Sequence, residues 1–416
     1  MSLVERGTGP LRAVLGNRDL VLLVTAGLVA STGSWVLRTA LAFQVYALTG
    51  SPAASAGALL AGLVPQILLG PVAGALADRV DRRRLLVGAD LLLGVVLLPL
   101  PFAGDGAAIG VVLAVLTAAS ALAPFVAAAE AALLPALVGP AERVPANALN
   151  GQARDLSRLI GAALGGVLVA AGGLPAVTAA EVVAVVVAAA LVLAARRRPA
   201  PTDHDQASGG GLRGGAAAVR RSRPLRVVLI LFALTGFGEG IMGSLFAPFV
   251  QDVLHASAAA YGAILAVQSV GGIAGGAVLT AVGARIDPRA LIGWGALLFG
   301  ALDTALFLVP PALPGPVPAA VLIVLVGLPG AALTAGLLSV FQAETEPASR
   351  GRVFGLLTAG QSATMLVGAV MAATATDALG IVPVLVAQGA VYLIGGAIAL
   401  PALRPAPVAT PLSAPA

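Results

Sequence analysis

Six charged residues lie inside stretches of sequence that are otherwise almost entirely apolar. They are Arg38, Asp90, Glu130, Glu181, Glu239 and Asp303. A charge in such surroundings loses its hydration, so it is costly to keep unless it pairs, binds a ligand or exchanges a proton. A carboxyl group placed there can take up a proton in one environment and release it in another. These residue types therefore indicate proton transfer or the binding of a charged ligand.

Glu239 is the strongest candidate for proton coupling. It lies about thirteen residues into an apolar run, in the sequence GFGEGIMGS, where four glycines leave room for a ligand beside the carboxylate. Substrate or an opposing charge such as Arg38 would favour the ionised form in one conformation, which links protonation to conformation. Two alternatives remain open: Glu239 binds a cationic substrate directly, or Asp303 or Glu130 carries the proton.

The elements that carry these residues are predicted to be membrane-spanning helices. The chain has 416 residues, of which 59% are hydrophobic and 10% charged, whereas a soluble domain carries about 25% charged residues. Runs of about 20 apolar residues, the length that crosses a bilayer, occur twelve times, six on each side of a polar middle segment. They are 20–47, 53–77, 85–103, 107–134, 152–172, 175–195, 227–250, 258–282, 290–309, 318–342, 353–376 and 381–400. We predict an all-α membrane protein with an N-terminal six-helix bundle (1–195) and a C-terminal one (227–416).

The polar middle segment, 196–226, is predicted to be a cytoplasmic linker between the bundles. Its glycine, proline, serine and arginine content is typical of a flexible connection. Its apolar residues Leu212, Val219 and Leu225 leave a second interpretation open, in which a basic helix lies on anionic lipid.

The arginines predict the orientation in the membrane, because cytoplasmic loops hold an excess of positive charge. The chain has no lysine, and its arginine-rich loops all fall on one side of the twelve predicted helices. The opposite loops carry only Asp105, Asp252, His255 and Asp377. The first apolar run exceeds the core of about 7–15 residues that a signal peptide has, so it is predicted to be retained. We expect a multi-pass protein of the cell membrane with both termini in the cytoplasm.

Composition argues against several other classes. The absence of cysteine rules out disulfides, thiolate metal sites and cysteine nucleophiles, and the two histidines lie in polar loops. The glycines at Gly209 lack the Lys-Ser/Thr that a nucleotide loop requires. The basic charge lies in the inside loops and indicates contact with membrane lipid rather than nucleic acid. We therefore predict no enzyme activity, cofactor or metal, and instead ion-driven transport of a small molecule by a monomer.

An internal repeat relates the two halves of the sequence. At a shift of 206 residues, Gly70–Leu85 aligns with Gly276–Leu291 with seven identities in sixteen positions, including a shared Arg-x-Asp-x-Arg. Further on, the shift becomes 207 and pairs Gly161-Ala162 with Gly368-Ala369. Parallel six-helix repeats of this kind occur in major facilitator transporters, which bind substrate near the midplane between the halves.

The first copy of this repeat carries a family resemblance. The spacing Gly74-x-x-x-Asp78-Arg79-x-x-Arg82-Arg83-Arg84, between the second and third predicted helices, resembles the signature loop of the major facilitator superfamily. The stretches VYALTGSP, AALLPALVGPAERVPANALN and RGRVFGL resemble the drug:proton antiporter branch that includes macrolide and enterobactin exporters. The sequence departs from the pattern at Asp81, where glycine is common, and at Glu130, where such proteins often carry arginine.

The resemblance implies proton-coupled efflux of a drug-like or secondary-metabolite molecule by alternating access, with proton-coupled uptake of a nutrient as the alternative. It also implies that the first, fourth, seventh and tenth helices line the cavity. The candidate cavity residues are Trp35, Arg38, Gln44, Phe237, Phe246 and Gln268. Aromatic residues in membrane helices are, however, more often packing or interface residues.

The signature loop is expected to latch one conformation. Gly74 would permit close helix approach, and Asp78 would meet the positive N-terminal end of the eleventh helix near 350–353. The arginines would pair with acids and lipid phosphates. The alternative is that the charges only orient the second and third helices.

The remaining buried charges are expected to be structural or local. Asp90 is predicted to pair with the arginine loop, and Arg154, Asp155 and Arg158 to pair with one another. Asp303 and Glu181 lie on helices that the resemblance makes peripheral, where each is either functional or simply hydrogen-bonded.

Overall fold

The structure, a computed structural model, describes residues 16–102, 108–139, 143–195, 211–282, 286–309, 313, 316–346 and 349–403. In this part of the chain there is no β-strand. The helices are α1 Arg18–Thr49, α2 Pro52–Arg79, α3 Arg82–Leu97, α4 Ala108–Ala136, α5 Arg143–Ala194, α6 Gly211–Arg221, α7 Arg223–Pro248, α8 Ala258–Val282, α9 Pro288–Leu308, α10 Val317–Glu344, α11 Arg350–Leu379 and α12 Ile381–Ala402. A short 3₁₀ turn, Leu100–Phe102, follows α3, and a π turn, Phe249–Val253, extends α7.

Helix α5 is two membrane spans joined by a sharp bend. It has 52 residues, and a straight helix of that length would be about 78 Å long, far more than the roughly 30 Å of a bilayer core. Gly173 breaks it with φ 61° and ψ −154°, and Pro175 follows two residues later. We call 143–172 the first arm and 174–194 the second arm. The two helices predicted on either side of this glycine are therefore confirmed.

Eleven of the described helices are long and apolar enough to cross a membrane, and the bend in α5 raises the number of spans to twelve. The predicted all-α fold of two six-helix bundles is confirmed. The ends differ from the prediction by a few residues in most helices, because polar caps extend them beyond the apolar runs. Asn17 caps α1 and Ser51 caps α2 in this way.

The repeat in the sequence corresponds to a repeat in the packing. In the first half, a side chain added at Gly161 would collide with the backbone of Thr32 on α1. In the second half, the same addition at Gly368 would collide with the carbonyl of Phe237 on α7. The glycines thus let the first arm of α5 approach α1 and let α11 approach α7, as small residues do in membrane helix pairs.

The aspartate of the shared Arg-x-Asp-x-Arg caps the third helix of each half. Asp81 accepts hydrogen bonds from the backbone N–H of Arg83 (2.9 Å) and Arg84 (3.2 Å). Asp287 accepts one from the backbone N–H of Arg289 at 2.9 Å. Aspartate is a favoured residue at a helix N-cap because it satisfies N–H groups that have no partner within the helix. This role explains the aspartate at position 81, where the resembling loops commonly have glycine.

The polar middle segment is not irregular over its second part. Residues 196–210 lie outside the described residues, but α6 occupies Gly211–Arg221 and α7 begins at Arg223. Val219 is buried against apolar residues of α7 and α11, including Leu225 and Val353. Burial of these side chains is the reason that a helix forms where a flexible linker was predicted.

The two ends of the bundle are distinguished below by name. The linker end is the one at which the second arm of α5 ends and α7 begins. The far end is the opposite one, where α1 ends at Thr49 and α8 begins at Ala258.

Candidate functional site

A cavity of about 490 Å³ lies among α1 to α5. Its charged lining residues are Arg38, Asp90, Glu130, Arg154, Asp155, Arg158 and Glu181. All of its lining residues belong to the first half. Polar side chains of α1, among them Ser34 and Arg38, face it. The predicted substrate cavity between the halves stays a prediction.

Trp35 and Arg38 line this cavity as predicted, and a second arginine joins them. The guanidinium carbon of Arg38 lies 5.9 Å from the centroid of the Trp35 ring, and that of Arg158 lies 5.3 Å from it. These are cation–π distances. Arg158 also donates a hydrogen bond to the side-chain oxygen of Gln268 on α8. The cluster therefore reaches from the first half to the second.

Glu181 is fully enclosed in the cavity wall. Its residue has 0% exposure, and one carboxylate oxygen accepts a hydrogen bond from Ser34 at 3.2 Å. The other oxygen has no hydrogen-bond partner in the described structure and lies where a side chain at Gly33 would otherwise be. Glu181 interacts electrostatically with Arg38 and Asp90. Glu181 thus faces the cavity and is hydrogen-bonded there, because Gly33 lets the second arm of α5 approach α1 closely.

Asp90 and Glu130 lie in the same wall. Asp90 is buried, and it interacts with Glu130 and Glu181 rather than with the arginine loop as predicted. Glu130 forms an ion pair with Arg154 at 3.2 Å. The pair joins α4 to the first arm of α5, so Arg154 is not confined to local pairing on its own helix.

Glu239 lies on α7 on an exposed face. It accepts a hydrogen bond from the side-chain amide of Gln361 on α11 at 3.2 Å. It also interacts electrostatically with Arg158 of the first half. The carboxylate that the sequence singled out is thus coupled to an arginine on the other side of the interface between the halves.

Asp303 has a different environment. Its residue is 2% exposed, and it accepts a hydrogen bond from Gln388 on α12 at 3.0 Å. Tyr392 interacts with both Asp303 and Glu239 and donates a hydrogen bond to the carbonyl of Thr235. Asp303 therefore lies inside the second half and away from the cavity.

The other predicted cavity residues do not line this cavity of the first half. Phe246 is 3% exposed and packs against the rings of Phe249 and Tyr261. Phe237 packs partly against the same apolar cluster. Gln44 is half-buried on α1, and Gln268 contributes only as the acceptor for Arg158. Aromatic stacking accounts for the position of Phe246, which is a core residue.

The signature loop lies at the linker end. Arg82 donates a hydrogen bond to the carbonyl of Ala132 at 3.5 Å, and Arg83 donates one to the carbonyl of Leu193. Arg79 and Arg84 are exposed. The side chain of Asp78 lies outside the described part of the structure.

Gly74 does not mediate a close helix contact in this conformation. A side chain added there would meet nothing within 4 Å, and the same is true of Gly355 near the start of α11. Both glycines lie toward the linker end of α2 and α11, near the place where the latch was expected to close.

The halves meet at the far end. Tyr46 donates a hydrogen bond to Asp252, its equivalent at a shift of 206 residues. The side-chain amide of Gln251 donates one to the carbonyl of Phe43 at 3.0 Å. Nearby, Gly166 on α5 and Gly262 on α8 are in backbone contact, with no room for a side chain on either. These contacts close the far end of the interface.

The repeat relates polar residues that were not predicted to face the interior, Glu181 and Arg154, to polar residues of the second half. At a shift of 207, Glu181 aligns with Gln388 and Arg154 aligns with Gln361. All four make polar side-chain contacts between helices. Matching polar positions across the repeat would therefore have identified Glu181 and Arg154 as inward-facing.

Comparison with known proteins identifies a family that matches the sequence. The sequence matches the family described as transmembrane secretion effectors over residues 10–410. No curated protein sequence matches the chain.

Several solved structures have a similar fold. One is a bacterial homologue of the human lysosomal transporter Spinster in an inward-facing, unoccupied conformation, with 17% identity, a TM-score of 0.69 and coverage of 95% of this chain and 98% of that one. Another is a bacterial homologue of the iron transporter ferroportin in an inward-facing state, with 16% identity, a TM-score of 0.71 and coverage of 93% and 99%. A peptide transporter, POT, matches with 18% identity, a TM-score of 0.69 and coverage of 92% and 93%. At these identities the similarity shows the fold alone.

Proposed function

Because the chain belongs to the transmembrane secretion effector family of major facilitator transporters, we propose that it exports a drug-like or secondary-metabolite molecule in exchange for protons. The observation that carries this proposal is the polar cluster at the interface, in which Arg158 of the first half bonds Gln268 of the second and also interacts electrostatically with Glu239, itself hydrogen-bonded to Gln361. A titratable carboxylate at the interface changes the attraction between the halves when it gains or loses a proton. Transport coupled to protons requires such a link between protonation and conformation.

The proposed cycle uses Arg158 as the partner that Glu239 loses on protonation. Ionised Glu239 attracts the Arg158 guanidinium, and this attraction favours the arrangement in which Arg158 also bonds Gln268. A proton on Glu239 removes the attraction, so the halves are free to rearrange and Arg158 is free to take another partner. Release of the proton on the other side of the membrane restores the first arrangement.

We infer that this state is open at the linker end. Tyr46, Asp252 and the Gly166–Gly262 contact close the far end, while Gly74 and Gly355 have open space beside them. The arginine distribution supports a cytoplasmic linker end. On that orientation the cavity would accept substrate from the cytoplasm, as an exporter requires. Two of the similar solved structures are described as inward-facing.

Transport in liposomes tests the coupling and its direction. We expect purified protein in liposomes with an acidic lumen to accumulate substrate inside, because protons leaving the lumen drive an exchanged substrate in. A panel of labelled antibiotics, dyes and siderophores supplies the substrates, and protein-free liposomes with the same gradient correct for passive distribution. A proton symporter would instead concentrate the compound in an alkaline lumen, and accumulation that ignores the gradient would refute proton coupling.

We also propose that Asp78 belongs to a latch that closes the linker end. The position of Asp78 in the signature loop and the open space at Gly74 in this state support the proposal. Asp78→Asn is expected to reduce transport at least fivefold, because it removes a charge that favours one closed arrangement. Expression and thermal stability should be unchanged, and Asp81→Asn serves as the control because asparagine retains the N-cap. Normal transport by Asp78→Asn would mean that the charges of the loop only orient the second and third helices.

A further inference from the structure

We propose that the cavity of the first half binds its substrate through an anionic group, which Arg38 and Arg158 hold beside the Trp35 ring. The ligand class is an amphipathic carboxylate, with one negative charge on a largely apolar body. The inference rests on the proposed transport function, since it specifies which molecules that function would carry.

Arg38 has donors that nothing in the described structure satisfies. It is accessible from the cavity, and it makes a cation–π contact with Trp35 and an electrostatic interaction with Glu181. No hydrogen bond to its guanidinium occurs among the described residues. A guanidinium has five N–H donors in a planar fork that matches a carboxylate. An arginine kept inside an apolar bundle in this way calls for an anionic partner.

The accessible charge beside Trp35 is positive even though the cavity wall contains acids. Glu181 and Asp90 line the cavity wall, but they are 0% and 3% exposed and so present little surface to a ligand. Glu130 is already paired with Arg154, and its side chain is 16% exposed. The fourth acid of the lining, Asp155, is exposed and interacts electrostatically with Arg158. The accessible acids of the cavity therefore already have arginine partners.

Arg38 and Arg158 have different parts in this site. Arg158 already interacts with Asp155, Glu239 and Gln268, so an anion reaches it in competition with those groups. Arg38 has no such competitors for its hydrogen bonds in the described structure. Arg38 is thus the primary anchor of the anion, and Arg158 is the second contact.

The volume of the cavity and its remaining lining residues suit a ligand with an apolar body. A volume of about 490 Å³ lies within the range of roughly 300–1,000 Å³ for sites that enclose drug-sized ligands. Leucine and valine side chains from α1, α3 and α4, including Leu37, Leu93, Leu116 and Val126, line the rest. An anionic head at Arg38 would thus leave its hydrocarbon body against these residues.

Tryptophan fluorescence provides a direct binding assay. The chain has two tryptophans, and Trp294 is 59% exposed on α9, outside the cavity. In a Trp294→Phe background, Trp35 is the only tryptophan and reports the cavity. The probes share one hydrocarbon body and differ in charge: 4-cyclohexylbenzoate, 4-cyclohexylbenzamide and 4-cyclohexylbenzylammonium. Binding is measured in detergent without any proton gradient.

We expect the carboxylate to quench Trp35 saturably and to bind at least tenfold more tightly than the amide or the ammonium compound. Arg38→Gln should weaken carboxylate binding by about 10–100-fold, the range for losing a charged hydrogen bond, while leaving amide binding unchanged. Arg38→Lys should recover part of the affinity because it keeps the charge but not the fork. Arg220→Gln, on the exposed face of α6, is the matched control and should bind normally.

Equal affinity for the three probes, tighter binding of the ammonium compound, or no saturable binding of the carboxylate would each overturn the anionic site. The comparison of the three probes on the protein that keeps Arg38 tests the anionic site even if an Arg38 variant fails to fold. Because no gradient is present, failure here leaves proton-driven transport standing, and failure of the gradient assay leaves the anion site standing.

Discussion

Replacement of Glu239 by glutamine is expected to abolish proton-driven accumulation of substrate while leaving substrate exchange across the membrane intact. Glutamine keeps the size of the side chain and can still accept the hydrogen bond from Gln361, but it cannot ionise. The attraction to Arg158 is then permanently absent, as it is in the protonated wild type. The halves can still interconvert with substrate bound, but a pH difference no longer biases the direction.

The measurement uses liposomes with and without an imposed pH gradient. With the gradient, accumulation by Glu239→Gln should fall at least tenfold, to the level of protein-free liposomes. Without it, exchange of labelled for unlabelled substrate should proceed within about twofold of the wild-type rate. Exchange in the variant should also lose its dependence on pH, because the titrating group is gone.

Asp303→Asn is the matched control, since it removes a buried carboxylate of the second half. Its amide can still bond Gln388, and we expect it to retain gradient-driven accumulation. If Asp303→Asn abolishes accumulation and Glu239→Gln does not, the proton is carried inside the second half. If Glu239→Gln stops exchange as well, Glu239 is needed for substrate movement itself rather than for coupling alone.

The helices could be predicted from the sequence because their signals are local. Apolar runs of the right length predict the spans, and the glycine and proline at 173 and 175 predict the break between the two arms of α5. The repeated aspartates, Asp81 and Asp287, recur because each caps the third helix of its half.

The position of the cavity could not be predicted in the same way. These helices are apolar around their whole circumference, so periodicity does not show which face is turned inward. Contact between Gly33 and Glu181 sets the facing of the second arm of α5, and these residues are far apart in the sequence. The same limit applies to Arg158, whose partner Gln268 lies in the other half. Only three-dimensional packing brings such residues together.

The contact between Gly166 and Gly262 predicts a large loss of transport when Gly262 is substituted. A side chain on Gly262 would collide with the carbonyl of Ala162 and lie 2.9 Å from the Cα and N atoms of Gly166. These are backbone atoms of α5 and cannot rotate away as a side chain would. Substitution therefore forces the halves apart at the far end.

Gly262→Val is expected to reduce transport by tenfold or more, because the state closed at the far end becomes a minor population. Gly272→Val is the matched control: it lies on the same helix, carries the same change, and has nothing within 4 Å of the added Cβ. It should transport within about twofold of the wild type. The chain has no cysteine, so single pairs of spin labels can be introduced without background.

A label pair at Leu48 on α1 and Ser257 before α8 measures the far end, and a pair at Val80 and Phe354 measures the linker end. In Gly262→Val the first distance should increase by several ångströms and the second should decrease, because one set of rigid halves cannot be open at both ends of an alternating-access cycle. Gly262→Ala should shift the same distances less, since its single methyl group meets the same backbone. A far-end distance that stays at the wild-type value in Gly262→Val, with normal transport, would mean that the halves separate elsewhere and that this glycine contact does not close the far end.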